Sequence, residues 1–230
     1  MFAHTRKTMT VFPNQAALDY DERIEMLVPG YALAFELFAC TLTGRIDPQS
    51  SILVPGCGTG SEILALARTF PEARFTAVEP SDAMLEKARY RLTEAGIASR
   101  VEFINGFLED TPEQAHTAAT VSLVLHFLPD DGAKVGFLEN VARRLSPGAP
   151  LVLLDPPDKG EDAVLRLWLE RRGHTPGAAD AICRRMREEW HRITPERLAN
   201  LLNVAGFTHP ETFFKVPGYC GFVAERRRGN

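Results

Sequence analysis

Ile52-Leu53-Val54-Pro55-Gly56-Cys57-Gly58-Thr59-Gly60 and its continuation Ser61-Glu62-Ile63-Leu64-Ala65-Leu66-Ala67 decide how this 230-residue chain folds. An apolar run breaks into three alternating glycines and passes without a proline into a helix-like stretch. That order predicts a strand, a tight turn and a helix start. Glycine tolerates the backbone of such a turn, and its missing side chain lets a ligand lie against the main chain. A plain tight connection would look the same, so the acid that follows carries the decision. Arg74-Phe75-Thr76-Ala77-Val78 predicts a second strand ending in Glu79, nineteen residues after Gly60. A carboxylate at the tip of the adjacent strand can take both hydroxyls of a ribose. Turn and acid together point to a nucleoside-containing cofactor.

The spacing narrows the choice. A dinucleotide fingerprint would place its third glycine at position 61, where this chain has Ser61, and the pattern here is G-x-G-x-G. The Lys-Ser/Thr pair of a phosphate-cradling P-loop is absent from the turn. A glycine turn without a pyrophosphate seat, followed by a ribose-binding acid, fits S-adenosylmethionine (SAM) better than NAD.

Beyond the turn, strands and helices alternate: helix 60–69, strand 74–79, helix 81–95, strand 101–105, strand 119–124, helix 131–145 and strand 150–155, after a first strand at 51–55. Leu151-Val152-Leu153-Leu154 is continuously apolar, as expected where helices cover both faces of a parallel sheet. Gly56, Glu79, Asn105 and Ser122 all fall at predicted strand ends, where the crevice of such a sheet lies. Residues 18–42 suggest helices broken at Pro29-Gly30, following an arm over 1–15. Asp162 to Arg172 and Ala178 to Arg192 read as two charged helices, an insert over 157–192 expected to cap the strand ends or cover the sheet edge. A last helix, Pro195 to Val204, precedes a hairpin over 207–214 and 219–225.

The ordered motifs resemble those of the class I SAM-dependent methyltransferases over about positions 18 to 225. Leu53 to Gly60 resembles their motif I, and Ala77-Val78-Glu79-Pro80-Ser81-Asp82-Ala83-Met84-Leu85 their motif II. Asn105-Gly106-Phe107-Leu108-Glu109-Asp110 is similar to the loop after strand three. Leu123 to Asp130 is similar to the segment after strand four, and Leu145-Ser146-Pro147-Gly148 to the turn before strand five. The resemblance implies an α/β, Rossmann-like single domain over 1–230, with a seven-stranded, mostly parallel sheet and a terminal antiparallel hairpin. Residues 1–45 would form an amino-terminal arm and lid. It implies SAM as cofactor, S-adenosylhomocysteine (SAH) as product and no metal. It assigns cofactor contacts to Gly56, Cys57, Gly58, Glu79, Pro80, Met84, Gly106, Phe107, Ser122 and Leu123.

Three departures stand against the family pattern. Val54-Pro55 replaces the strand-one acid many members carry, a variant similar to thiol and thiopurine S-methyltransferases. Phe107 stands where an Asp often reads the adenine amino group, leaving Glu109 or Asp110 as acceptors and Phe107 as a stacking partner. His116-Thr117 replaces a common aromatic-Asp pair before strand four.

Bulk composition sets the outer limits. Hydrophobic content of 45% and charged content of 24% are ordinary for a globular protein. A net charge of −4 and a pI near 5.9 argue against an extended nucleic-acid surface. Arg226-Arg227-Arg228 reads as a solvated terminal run. Cys40, Cys57, Cys183 and Cys220 show no C-x-x-C pair and fit free thiols, with Cys57 a packing residue of the turn. Without an 18-residue apolar run or the apolar core of a signal peptide, the expectation is a cytoplasmic protein with no membrane span, as monomer or homodimer.

His126, just past strand four, is a candidate catalytic base or a pocket-lining residue. Tyr20, Arg23 and Tyr31 are candidate lid residues by likeness to a methyltransferase subgroup, with a surface helix as the alternative. Methyl transfer to a small molecule is the first expectation. A second follows from Val28-Pro29-Gly30-Tyr31 and the insert, which resemble the tRNA wobble-uridine enzyme that uses carboxy-SAM. That reading makes Arg184 or Arg185 the grip on an extra carboxylate, although Glu188-Glu189 also predict an i,i+4 salt-bridged face, and the net charge disfavours tRNA. The third is a non-catalytic SAM-binding partner protein.

Overall fold

A computed structural model describes residues 19–158 and 162–229. The predicted arm over 1–15 lies outside the described residues. Seven strands form one sheet: β1 (Ser51–Pro55), β2 (Arg74–Glu79), β3 (Val101–Asn105), β4 (Ala118–Ser122), β5 (Pro150–Asp155), β6 (Glu211–Val216) and β7 (Tyr219–Glu225). Their order is β3-β2-β1-β4-β5-β7-β6, parallel through β5 and antiparallel from β7. The order reverses between β1 and β4, and a crevice opens at their carboxyl ends.

The continuous apolar strands serve two cores. Ile52 and Val54 of β1, with Val152 and Leu154 of β5, face one side, and Leu53, Leu151 and Leu153 the other. The first face is covered by α1 (Tyr20–Leu27), α2 (Tyr31–Leu42), α3 (Ser61–Thr69), α4 (Asp82–Glu94) and the insert helices α6 (Asp162–Arg171) and α7 (Pro176–Glu188). The second is covered by α5 (Ala133–Arg143) and α8 (Pro195–Val204). Among the described residues, no single helix is long and apolar enough to cross a membrane.

Local boundaries depart from expectation at several places, and α5 spans Ala133–Arg143 where a helix over 131–145 was predicted. β4 ends at Ser122, two residues early, because Leu123 takes a left-handed backbone (φ +58°) that no strand continues. Thr175 accepts a hydrogen bond from the Ala178 amide and Pro176 occupies the first turn, so α7 starts two residues before the predicted helix. It stops at Glu188 where a helix to Arg192 was predicted, and Arg192 follows the bend at Trp190. In the hairpin, 207–210 stay outside the ladder apart from one bridge between Phe207 and Arg226. The terminal arginines are anchored: Arg227 Nη1 donates to Asn203 Oδ1 at 2.8 Å and the Arg226 amide to Ala149 O at 2.9 Å.

Candidate active site

Gly56, Gly58 and Gly60 carry φ of +73°, +52° and +82°, so each alternate position of the turn lies where a side chain is strained. A Cβ on Gly56 would meet Val124 Cγ2 at 2.5 Å, because the β4 exit packs directly on the turn. A Cβ on Gly58 would meet nothing within 4 Å, which marks the open side of the cradle. Glu79, 6% exposed, faces this turn. Its Oε2 accepts the Gly58 amide at 3.1 Å and its Oε1 the Ser81 amide at 2.9 Å. Burial pushes the Glu79 carboxyl up, and the two amide hydrogen bonds oppose it. Each oxygen keeps a lone pair for a further donor. Open backbone and a strand-end carboxylate beside it fit an adenosyl group with its ribose hydroxyls.

Helix α1 is held against the turn through Asp21. Asp21 of α1 accepts Thr59 Oγ1 at 2.5 Å and Arg91 Nη1 at 3.0 Å, and its other oxygen lies 2.8 Å from Lys87 Nζ. Arg91 Nη1 also donates to Thr59 O and Ser61 Oγ, both at 2.9 Å. Burial works to raise the Asp21 carboxyl, yet hydrogen bonds from Lys87 and Thr59 and the Arg91 charge hold it below the ordinary range. Helix α1 is thereby fastened to the glycine turn and to α4.

Between α1, the strand ends and the insert lies a cavity of about 500 Å³. Tyr20 and Arg23 line it from α1, Leu123 and His126 from the β4 exit, Ile182 and Arg185 from α7, and Glu189, Trp190 and Tyr219 are also on its wall. Leu123 is the one non-glycine residue with positive φ among the described residues, and it sits at this cavity, where strained backbone tends to gather. His126, 2% exposed, places Nδ1 2.8 Å from Asp155 Oδ1 at the end of β5. A carboxylate only accepts, which puts the proton on Nδ1 and leaves Nε2 as an acceptor. The ring packs at a tilt against Trp190 and Phe127, with centroids 4.3 and 4.0 Å apart and planes inclined by 39° and 45°. Buried Lys134 holds this segment from α5, donating to the carbonyls of Leu125 and Leu128. Burial pushes the Lys134 ammonium down to about 8, against the charges of Asp155 and Asp130.

The predicted site residues therefore divide. Tyr20, Arg23, Leu123, His126 and Arg185 meet at the cavity, and Gly56, Cys57, Gly58 and Glu79 at the turn. Cys57 is buried, with burial and the neighbouring Glu79 charge pushing its thiol up, in keeping with a packing role. Arg184 does not reach the cavity; it lies in a separate groove with Asp162 and Arg166. Tyr31 is buried in the core against Phe35, with ring centroids 4.7 Å apart, and does not line the cavity. Met84, in the first turn of α4, is buried, and Pro80 is half-buried. Ser122 Oγ is buried without a hydrogen-bond partner among the described residues. The Phe107 amide donates to Asp110 Oδ2 at 2.9 Å, and a Cβ on Gly106 would meet that oxygen at 2.7 Å, so this loop needs its glycine. Asn140 Nδ2 donates to Glu109 Oε1 at 3.2 Å, which ties that carboxylate to α5.

The i,i+4 bridges expected within α7 do not form among the described residues. Arg187 pairs instead with Asp162 of α6 at 2.8 Å, because the two insert helices pack side by side. Asp155, Trp190, Tyr219 and Asp21 escaped the sequence reading. Asp155 closes β5 as Glu79 closes β2, so the strand-end rule reaches it. Asp21 joins residues 38 to 70 positions away, for which no local signal exists. Among the described residues, no group of three or more His, Cys, Asp or Glu is placed to hold a metal ion.

Comparison with known proteins agrees with this geometry. Residues 52–148 match the family described as a methyltransferase domain. A carboxy-S-adenosyl-L-methionine synthase of Wolinella succinogenes is 26% identical, with 98% of this chain and 97% of that protein aligned. A protein of the same name from Klebsiella pneumoniae is also 26% identical, but the chain spans only 58% of its length. Among solved structures, mitomycin 7-O-methyltransferase MmcR superposes with a TM-score of 0.66 at 19% identity, over 97% of this chain and 65% of that one. Magnesium protoporphyrin IX methyltransferase (ChlM) from Synechocystis PCC 6803, with bound SAH, gives 0.69 at 16% identity, over 93% and 95%. At these identities the structures share the fold.

Proposed function

We propose that this chain, which carries a class I SAM-dependent methyltransferase domain, transfers a methyl group from SAM to a small-molecule acceptor bound in the cavity beside His126. The observation that carries this reading is the cavity of about 500 Å³, closed between the lid helix α1 and the insert and reaching the β4 exit next to the glycine turn. The domain's cofactor supplies an electrophilic methyl on a sulfonium, so the chain's own work is to orient a nucleophile and keep water out. Gly56 and Gly58 present backbone to the cofactor, and Glu79 holds its ribose. His126, oriented by Asp155, takes a proton at Nε2 from a hydroxyl or ammonium acceptor. Trp190 and Phe127 exclude solvent from that proton's path.

The experiment is calorimetric titration with SAH, followed by turnover of methyl-labelled SAM against panels of phenols, amines and thiols. Labelled product that disappears in His126→Ala with unchanged SAH affinity supports both site and base. Absence of SAH binding refutes the reading; tight binding without turnover on any panel favours a non-catalytic SAM-binding role.

A second reading, that the chain handles carboxy-SAM, is favoured by the Wolinella relative, whose name is that of a synthase of this compound and which aligns over 98% of the chain. Mass spectrometry of the nucleoside that co-purifies separates the two. A net charge of −4 weighs against a tRNA acceptor in either case.

A further inference from the structure

We propose that the methyl acceptor is a neutral, planar aromatic alcohol, seated in the corner that Phe127 and Trp190 form beside His126 and methylated on its ring hydroxyl. The inference deepens the reading above and rests on it, since that reading places the acceptor in this cavity. Phe127, Trp190 and His126 all line the cavity. The Phe127 and Trp190 centroids are 6.4 Å apart with planes inclined by 69°, an edge-to-face pair, and each ring also packs on His126. A flat ring laid on one of the two therefore meets the other at a steep angle. Stacking on the first and edge-to-face contact with the second both suit aromatic quadrupoles, and a saturated ring of the same size gains neither beyond burial. The corner is held in place. The His191 amide donates to the His126 carbonyl at 2.9 Å, which bonds the chain just past Trp190 to the β4 exit. Lys134 grips the same segment through the carbonyls of Leu125 and Leu128.

The charges around the corner favour a neutral ligand. Lys134 is committed to its two carbonyls, and the largely buried Asp155 behind His126 disfavours an anion. Arg23, Arg185 and Glu189 on the wall are exposed and of both signs, so none supplies a buried counter-charge. A charged acceptor would lose its hydration against aromatic rings without a matching partner. The hydroxyl follows from the base. With the Nδ1 proton facing Asp155, Nε2 is left to accept an O–H. A ring hydroxyl keeps its proton near neutral pH and needs such a base, whereas a neutral ring amine brings its own lone pair. In the step, the hydroxyl oxygen bonds to the methyl carbon as the carbon–sulfur bond breaks with its electron pair left on sulfur. The O–H proton passes to Nε2, and the imidazolium that forms faces Asp155.

The test titrates beta-naphthol, its saturated counterpart decahydro-beta-naphthol and the anion beta-naphthoate into the chain by calorimetry, with and without saturating SAH. Beta-naphthol should bind about tenfold tighter than either of the others, the combined effect of two ring contacts. Trp190→Leu should cut its preference over the saturated alcohol to roughly threefold, and Trp190→Phe should keep most of it. SAH affinity should be unchanged in both variants, which also checks that they fold. With methyl-labelled SAM the label should appear on the naphthol oxygen, and His126→Gln should bind beta-naphthol but transfer little label to it. Equal binding of the planar and saturated alcohols, tighter binding of beta-naphthoate, binding of no probe, or a planar preference that survives Trp190→Leu overturns the aromatic corner. Absence of label on beta-naphthol, whether or not beta-naphthylamine takes it, overturns the hydroxyl assignment. Failure of the unsubstituted chain to bind SAH overturns the methyltransferase reading and the acceptor with it, whereas SAH binding with the wrong order of probes overturns the acceptor class alone.

Discussion

Two buried groups of opposite chemistry set a compensated pH dependence that single substitutions should expose. Glu62, in the first turn of α3, is 3% exposed and accepts the Thr120 hydroxyl. Burial pushes its carboxyl from 4.5 up to about 7, with the Thr120 bond opposing. His116, 1% exposed, has Nδ1 2.8 Å from Ser51 Oγ. Burial and the Arg144 charge push its imidazole from 6.5 down to about 4. As pH rises from 4.5 to 7, folded Glu62 keeps a proton that the unfolded chain loses, so its contribution falls. As pH rises from 4 to 6.5, the unfolded chain sheds a His116 proton that the folded state never held, so that contribution grows. At about 1.4 kcal/mol for each pH unit between folded and unfolded values, each contribution spans roughly 3 kcal/mol. Because the signs oppose, the unsubstituted chain should change little between about pH 4.5 and 6.5 on their account. Glu62→Gln should turn this into a stability that rises by roughly 3 kcal/mol across the window, and His116→Asn into one that falls by a similar amount. Urea denaturation of the three proteins in small pH steps reads the slopes directly, independent of any constant offset from substitution. Parallel curves for all three would refute the reasoning, and a Glu62→Gln curve that follows the unsubstituted chain would refute the burial of that proton.

Glu79→Ala should remove most SAM affinity, on the order of 2–4 kcal/mol for a charge-assisted bidentate contact, read by calorimetry. Gly56→Ala forces a Cβ to 2.5 Å from Val124 at positive φ. It should lower stability by about 1–3 kcal/mol for overpacking, and Val124→Ala in that background should recover only the clash and not the backbone strain. Asp21→Asn loosens the clamp of α1 on Lys87 and Arg91 and should weaken SAH binding by roughly tenfold, with faster release in stopped flow. Lys134→Met keeps the stem but strands the Leu125 and Leu128 carbonyls, so denaturation should show a loss of about 1–3 kcal/mol, with methyl transfer falling alongside.

The parallel sheet was legible because short, largely apolar runs between turn signals, continuous in β1 and β5, alternate with helix-like stretches in order from Ser51 to Asp155. The glycine turn and Glu79 were legible for a related reason: both lie within one strand–turn–helix–strand unit, where backbone need and residue type coincide. Boundaries failed where side-chain packing overrides pattern. Nothing in Ser122-Leu123-Val124 announces a left-handed leucine, and nothing in Glu188-Glu189-Trp190 announces that α7 stops there. The terminal arginines read as a solvated run, and Arg227 and Arg228 are exposed; what the sequence did not announce is that Arg227 also reaches Asn203 and the Arg226 amide Ala149, both distant in sequence.

The sequence by itself determined the α/β architecture and the placement of Gly56, Gly58 and Glu79 at the ends of β1 and β2, since that placement is set by main chain at strand ends and needs only local order. Tertiary structure decided the rest: that His126 faces Asp155, that Arg185 and not Arg184 borders the cavity, and that Arg192 Nε and Nη1 and the Tyr219 hydroxyl are buried without hydrogen-bond partners among the described residues. These groups come from the β4 exit, the end of β5, the insert and an antiparallel strand, and only the summed packing of two cores brings them together. No local pattern encodes such a meeting, because its energy resides in contacts between segments far apart in the chain.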